Sequence, residues 1–93
     1  MIKIDFETKE EVIPEYIVLE TGVKCLYDKN HQFHSYNDLP AIIWKDGTKW
    51  WFKHGKFHRD NNLPAIVFCG GRIEYWENGT LIRSEYDNYR FQY

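Results

Sequence analysis

Apolar and polar residues alternate along short stretches of this chain, and Gly, Pro and Asn separate the stretches. Residues 2–7 alternate strictly, which is the period-two pattern of a half-buried strand. Pro14 restricts the residue before it, so a helix through this position is disfavoured. Residues 15–20 and 23–28 are β-rich runs on either side of a Thr-Gly turn, and they predict a hairpin.

From residue 34 to residue 83, one motif occurs twice at a spacing of 24 residues. Each copy has a polar loop, a Leu-Pro pair, an apolar run, a glycine turn, an aromatic run and a second glycine turn. The identical pairs are His34/His58, Asn37/Asn61, Leu39/Leu63, Pro40/Pro64, Ala41/Ala65, Ile42/Ile66, Gly47/Gly71, Gly55/Gly79 and Arg59/Arg83. Residues 29–34 match the end of a degenerate earlier copy. Self-similarity at a fixed period indicates a repeat architecture.

The dipeptides that separate the runs are strong hairpin signals. They are Asp46-Gly47, His54-Gly55, Gly70-Gly71 and Asn78-Gly79. Glycine supplies the positive φ that tight hairpin turns require. The sequence therefore predicts an all-β fold, an antiparallel β-hairpin repeat meander of about eight or nine strands with no significant helix.

Four runs of the two copies are predicted strands, and two polar segments are predicted loops. The strands are 41–45, 50–53, 65–69 and 74–77, and the loops are 35–40 and 59–64. A chain of 93 residues forms one domain. Within it we distinguish N-terminal strands at 1–26, the repeat region at 27–83 and a C-terminal strand or tail at 84–93.

The predicted strands are apolar on both faces. Residues 41–45 and 65–69 hardly alternate, and the aromatic pairs at 51–52 and 75–76 point to opposite sides of a strand. A sheet that is open to water on one side alternates clearly. We therefore expect a second copy of the chain to cover the remaining apolar face in a homodimer. The alternative is a sheet that curls tightly enough to bury one face in itself.

Charge is distributed unevenly along the chain. Residues 1–20 contain two lysines and six acidic residues, whereas residues 21–93 contain ten basic and eight acidic residues and all four histidines. A positive balance this weak does not by itself predict binding to nucleic acid.

The two cysteines, Cys25 and Cys69, lie at non-equivalent positions of the repeat and lack CxxC spacing. They predict buried thiols in a reducing compartment, with a single disulfide as the alternative. The first residues lack the apolar run of a signal peptide, and no apolar segment of transmembrane length follows. We therefore expect a cytoplasmic protein without a membrane partner.

The histidines raise the question of a metal site, because His31-x-x-His34 and His54-x-x-x-His58 have the spacing of ligand pairs. The repeat offers a simpler explanation, since His34 and His58 recur with it and His54 occupies a turn. We expect them to hydrogen-bond loop backbone or a nearby aspartate, and we predict no metal ligand and no cofactor. Neither a Gly-x-Ser-x-Gly motif nor a recurring carboxylate pair is present, so we predict no catalytic residue and no enzyme activity.

The pattern Asn/His-Gly-x-x-His-Arg-x-x-x-x-Pro-Ala, followed by a glycine turn and an aromatic pair, resembles the hairpin repeats of phage and giant-virus proteins. It is loosely similar to MORN-type repeats, and it covers residues 27–83. The chain departs from the family form at Ser35, which replaces the Arg after His, and at the leucine before each Pro-Ala. The resemblance implies a viral interaction scaffold in the host-cell cytoplasm, a small inhibitor that binds and masks a host defence protein.

Aromatic residues and arginines of the repeat region are the candidate binding residues. They are Trp44, Trp50, Trp51, Arg59, Arg72, Tyr75, Trp76 and Arg83. Trp, Tyr and Arg dominate the hot spots of protein interfaces because they bury a large area with few rotatable bonds. The same residue types stack on nucleic-acid bases, so the alternative function is the binding of RNA or of a nucleotide signal.

Overall fold

Tight turns divide the chain into nine short strands over residues 14–86, the part that the computed structural model describes. The strands are β1 Ile17–Val18, β2 Lys24–Cys25, β3 Ile42–Ile43, β4 Lys49–Trp50, β5 Phe52–Lys53, β6 Lys56–Phe57, β7 Ile66–Val67, β8 Arg72–Glu77 and β9 Thr80–Tyr86. Neighbouring strands pair antiparallel, and these residues contain no helix, hence none that could cross a membrane. The predicted all-β meander is confirmed. The predicted strand at 2–7 and the tail beyond residue 86 lie outside the described residues.

The strands form one long sheet and one separate hairpin. The long sheet has the order β1-β2-β3-β4-β7-β8-β9, and β5 pairs with β6. The strand predicted at 50–53 is therefore wrong as a single element, because it divides at Trp51. The backbone N–H of Trp51 donates to the carbonyl of Ala65 (2.7 Å), while its own carbonyl accepts the N–H of His58 (3.2 Å). The chain passes from the sheet to the hairpin at this residue.

The apolar strands of the two copies are shorter than the ranges 41–45 and 65–69 because the turns begin early. The N–H of Trp44 donates to the carbonyl of Thr48 (2.8 Å), and the N–H of Gly47 donates to the carbonyl of Trp44 (3.0 Å). The corresponding bonds of the second copy are Phe68 N–H to Arg72 O (2.9 Å) and Gly71 N–H to Phe68 O (3.1 Å). The 24-residue repeat of the sequence is thus a repeat of backbone hydrogen bonds.

A ladder of aromatic rings forms much of the core. The ring centroids lie 5.0 Å apart for Tyr27–Phe33, 5.3 Å for Phe33–Phe52, 4.4 Å for Phe52–Phe57 and 5.0 Å for Phe57–Trp76. Phe33 and Phe57 are equivalent in the repeat, as are Phe52 and Trp76. The ladder therefore joins successive copies through the same ring positions. Small apolar residues of the neighbouring strands pack with it: Val23, Cys25, Ala41 and Ile42.

The chain itself covers both sides of the aromatic segment between β4 and β6. Trp51 and Phe52 point in opposite directions, yet their exposed fractions are only 1% and 7%. Phe52 lies in the ladder, whereas the indole N–H of Trp51 donates to the backbone carbonyl of Asp38 (2.9 Å). A second copy of the chain is therefore not needed to cover either side of this pair. The homodimer stays a prediction.

Exposed apolar side chains lie mostly at the two ends of the long sheet. At one end, Ile17 and Val18 of β1 are 53% and 62% exposed. At the other end every residue of β9 is exposed, including Leu81 and Ile82. Most of the exposed large apolar side chains among residues 14–86 therefore lie in or beside the edge strands.

The two cysteines differ in burial, and both are free thiols. Cys25 is buried in β2, as predicted, but Cys69 is exposed. The prediction of a buried Cys69 is wrong because this residue lies in the turn after β7, where its backbone N–H donates to the hydroxyl of Thr48 (3.2 Å).

The recurring glycines occupy left-handed turn positions, as predicted. The φ angles are 95° at Gly47, 83° at Gly55, 96° at Gly71 and 84° at Gly79. A side chain at such a position strains the backbone even where space is available.

Replacing Gly47 with alanine tests this strain in isolation, since an added Cβ meets no atom within 4 Å. We expect Gly47→Ala to lower the free energy of unfolding by about 1–2 kcal/mol, measured by urea denaturation. Gly70→Ala is the matched control, because its surroundings are equally open and its φ is not left-handed. That variant should be as stable as the parent or slightly more stable. Equal losses in the two variants would contradict the assignment.

Candidate functional site

A polar pocket of about 430 Å³ lies between the two loops of the repeat and the end of β5. Its lining residues come from equivalent segments of both copies and from the β5–β6 turn: His34, Ser35, Asn37, Asp38, Trp51, Phe52, Lys53, His54, His58, Arg59, Asp60 and Asn61. The pocket therefore collects most of the polar side chains that the repeat places in its loops.

Each loop bends through two consecutive left-handed residues. The φ angles are 51° at Asn37 and 61° at Asp38, and 65° at Asn61 and 56° at Asn62. Asn and Asp tolerate this conformation better than most residues because their short polar side chains bond locally. The polar loop composition thus sets the backbone shape of the pocket wall.

Arg59 connects the two loops. Its Nε and Nη2 atoms donate to the two carboxylate oxygens of Asp38, each at 2.9 Å, and Nη1 donates to the carbonyl of Pro64 (3.1 Å). The guanidinium also lies 3.8 Å from the centroid of the Trp51 ring. With these donors occupied and its side chain 6% exposed, Arg59 stabilises the loops and has little left for a ligand.

His34 and His58 make the same backbone contact in successive copies. Nδ1 of His34 accepts the backbone N–H of His54 (3.0 Å), and Nδ1 of His58 accepts that of Asn78 (3.1 Å). Nε2 of His58 lies 2.7 Å from a carboxylate oxygen of Asp60. The prediction that the recurring histidines bind loop backbone or a nearby aspartate is confirmed.

Asp28 and His54 complete a cluster around His34. One oxygen of Asp28 accepts the backbone N–H groups of Asn30 (2.8 Å) and Gln32 (3.0 Å), and the other lies 2.8 Å from Nδ1 of His54. The imidazoles of His34 and His54 stack with centroids 4.2 Å apart. The cluster therefore joins the turn after β2 to the β5–β6 turn.

The environment of the cluster shifts two pKa values. Burial alone would raise the pKa of Asp28, but hydrogen bonds from His54 and from the backbone of Gln32 and Asn30 outweigh it and lower the pKa. The pKa of His34 is also lowered. The first cause is the burial of the ring, and the second is electrostatic repulsion of the protonated ring by His54 and Lys53, which outweighs the opposite effect of Asp28. At neutral pH we therefore assign an ionised Asp28 and a neutral His34.

Asp28, His34 and His54 each offer a potential metal ligand, and these atoms lie within 4.8 Å of one another. The hydrogen bonds do not fit a metal centre. Because Nδ1 of His34 accepts a backbone N–H, the neutral ring carries its proton on Nε2, and neither nitrogen has a free lone pair. A cation would have to break the bond that holds the β5–β6 turn.

Trp44 and Trp50 lie away from the polar pocket, against a second pocket of about 530 Å³ that is mostly apolar. Their rings meet edge to face with centroids 4.8 Å apart. Within the described residues both indole N–H groups are buried without an acceptor. These two predicted binding residues therefore share a surface, but not with Arg59.

The remaining predicted residues lie on β8 and β9. Arg83 stacks on Tyr75 with its guanidinium carbon 3.9 Å from the ring centroid. Arg72 forms an ion pair with Glu74 (3.0 Å), and the indole N–H of Trp76 donates to the same carboxylate (3.0 Å). The eight predicted residues thus occupy three separate places, and whether they bind a partner stays a prediction.

Sequence reasoning missed the partners of two aspartates in and beside the pocket, Asp38 and Asp28. Asp28-x-Asn30 is typical of a turn in which the carboxylate accepts backbone N–H groups, and this signal is local. The partners His54 and Arg59 lie 26 and 21 residues further along the chain, so no spacing within one hairpin indicates them.

No protein-family model, no curated protein and no solved structure matches this chain. The resemblance to viral hairpin repeats therefore stays a prediction.

Two arginines that stack on aromatic rings at nearly equal distances allow a matched test of the loop connection. Arg59→Lys removes the two-bond contact with Asp38, and we expect the free energy of unfolding to fall by about 1–3 kcal/mol. Arg83→Lys alters a similar stack at a side chain that is 56% exposed, and we expect a change within about 0.5 kcal/mol. Urea denaturation measures both. A loss no larger for Arg59→Lys than for Arg83→Lys would contradict a structural role for Arg59.

Acid should destabilise the protein through His34. Because its folded-state pKa lies below the ordinary value of about 6.5, the unfolded chain binds more protons, and stability rises with pH. This contribution is complete above about pH 6.5 and is lost as the pH falls through the folded-state value. We expect the free energy of unfolding to decrease on acidification from about pH 7 to pH 5, with a smaller decrease in His34→Asn. Equal slopes in parent and variant would count against the assignment.

Proposed function

We propose that this chain is a non-enzymatic binding protein that contacts another protein through the outer edge of β9. The observation that carries the proposal is the exposure of β9 over all seven residues, at the end of the long sheet. Among residues 14–86, β9 pairs with β8 alone. As far as residues 14–86 are concerned, its outer backbone N–H and C=O groups are available to an added strand.

The side chains of β9 support the same conclusion. Leu81, Ile82 and Tyr86 are 46%, 53% and 69% exposed, which is apolar surface on a strand that already offers backbone hydrogen bonds. Soluble proteins usually blunt such an edge with prolines, bulges or inward charges. β9 has no proline, but it contains one bulge at Ile82, which has no partner in β8 between the pairs Tyr75–Arg83 and Trp76–Leu81.

Arg83 is the charged anchor of this surface. It stacks on Tyr75 and lies 3.3 Å from a carboxylate oxygen of Glu85, so its side chain is ordered before a partner arrives. Preordering reduces the entropy that binding removes, and Arg and Tyr are frequent interface hot spots. The paired carboxylates of Glu74 and Glu85 leave Arg72 and Arg83 less available to phosphate, which disfavours the RNA or nucleotide alternative.

For the partner, we propose a host defence protein, because the repeat grammar resembles that of viral interaction scaffolds. In the absence of this partner, we propose that a second copy of the chain takes the same edge. A two-fold antiparallel pairing centred on Ser84 would place Arg83 opposite Glu85 of the other copy, so the strand is complementary to itself in charge.

The two isoleucines at opposite ends of the sheet, Ile17 and Ile82, are both 53% exposed and form a matched pair for the test. By light scattering at micromolar concentration, we expect the parent and Ile17→Lys to have a mass near that of two 11.3 kDa chains, and Ile82→Lys near that of one. Charged side chains, lysine above all, protect an exposed strand edge from pairing with another strand. A parent mass near one chain at every concentration contradicts self-association.

Capture from host lysate tests the heterologous partner separately. We expect the parent and Ile17→Lys to retain the same protein after nuclease treatment, and Ile82→Lys to lose it. Capture that nuclease abolishes, or that falls steeply with salt, would favour the nucleic-acid alternative instead. Equal loss in both variants would contradict β9 as the contact surface.

A further inference from the structure

His34 and His58 are equivalent in the repeat, and in the second copy both ring nitrogens of the histidine have a partner within the chain. In both copies Nδ1 accepts a turn N–H. Since a backbone N–H only donates, the neutral imidazole carries its proton on Nε2. Each histidine therefore has one further hydrogen bond to donate.

His58 donates this bond within the chain. Its Nε2 lies 2.7 Å from a carboxylate oxygen of Asp60. The residue that corresponds to Asp60 in the first copy is Tyr36, whose hydroxyl donates to the carbonyl of Tyr27 (2.9 Å). The first copy thus has no carboxylate at this position, and no residue of the described part of the chain accepts a hydrogen bond from Nε2 of His34.

The unmatched donor lies in the wall of the polar pocket. His34 is only 7% exposed, and it lines this pocket. Among the described residues, the buried polar atoms without a partner are the indole nitrogens of Trp44 and Trp50, so Nε2 of His34 is open to solvent. A ligand in the pocket can therefore replace water as its acceptor. The repeat itself indicates the chemistry of that acceptor, because the equivalent donor of His58 binds a carboxylate.

Charged groups of both signs lie near His34. The positive charge of Lys53 acts on the His34 ring, and the negative charge of Asp28 opposes it. The oxygens of Asp28 already accept bonds from His54 and from two backbone N–H groups. Asp38 is neutralised by Arg59 in the opposite wall.

We propose that the polar pocket binds a carboxylate, which accepts the Nε2–H bond of His34 as Asp60 accepts that of His58. A pocket of about 430 Å³ has room for a small dicarboxylate or for an acidic side chain of a peptide. This proposal does not depend on β9, since no residue of that strand lines the pocket.

Titration of the folded protein with carboxylates, followed by ¹⁵N resonances of the imidazoles, tests the proposal directly. At pH 7 and constant ionic strength, we expect Nε2 of His34 to shift saturably with acetate, succinate and a blocked Gly-Glu-Gly peptide. His58 is the internal control, and its Nε2 should not shift because Asp60 already occupies it. Tighter binding of the peptide identifies an acidic side chain as the source, and tighter binding of succinate identifies a small molecule.

The variant Asp60→Ala extends the test without altering His34. The Asp60 side chain is 72% exposed, so its removal leaves the fold intact. We expect His58 of this variant to respond to carboxylate in the way that His34 responds in the parent. No response of His34, or the same response to sodium chloride, would overturn the proposal. Inorganic phosphate binding about tenfold more tightly than every carboxylate would overturn the assigned ligand class.

Discussion

The ladder of stacked aromatic rings is the interaction on which the rest of this structure depends. Seven of the nine strands contain only two residues, so the backbone pairing of any one strand supplies few hydrogen bonds. The rings of Tyr27, Phe33, Phe52, Phe57 and Trp76 instead contact one another across successive hairpins. An aromatic pair contributes about 0.5–1.5 kcal/mol beyond its buried area, and repeat proteins sum such neighbour terms. Each hairpin is therefore held mainly by the hairpins on either side of it.

The copies share this framework, and their differences lie in the loops. Arg59 joins the two loops across Trp51, whereas its counterpart Ser35 accepts a single backbone N–H from Phe52 (3.1 Å). Asp60 accepts a histidine donor that its counterpart Tyr36 does not accept. Because the repeated backbone bonds keep both histidines in one orientation, a change at a neighbouring loop position alters hydrogen bonding without altering the fold. A repeat can thus bond the histidine donor of one copy within the chain and leave the equivalent donor of the other copy to a ligand.

The two proposed binding surfaces have the same physical origin. In each, polar groups that the fold orients have no acceptor or donor within residues 14–86: the outer backbone groups of β9, and the Nε2–H of His34. Water can bond such groups in the free protein, and a partner can take its place on binding. Trp and Arg are frequent at protein interfaces, but in this chain some of them stabilise the fold instead. Trp51 and Arg59 are buried in the loop connection, whereas Arg83 combines a stacked aromatic ring with an exposed side chain.

The sequence by itself determined the features that lie within one hairpin. The glycine turns with positive φ follow from residues close together in the chain, and the 24-residue period follows from their recurrence. The recurrence of His34 and His58 also predicted their bonds to loop backbone, although each partner lies 20 residues away. Only the tertiary structure decided how the hairpins meet. The division of the predicted strand at Trp51, the burial of Arg59 against Asp38 and the contact between Asp28 and His54 join residues from different hairpins. A periodic pattern indicates which residues share a face of a strand, but the element that covers that face depends on how the whole chain folds back on itself.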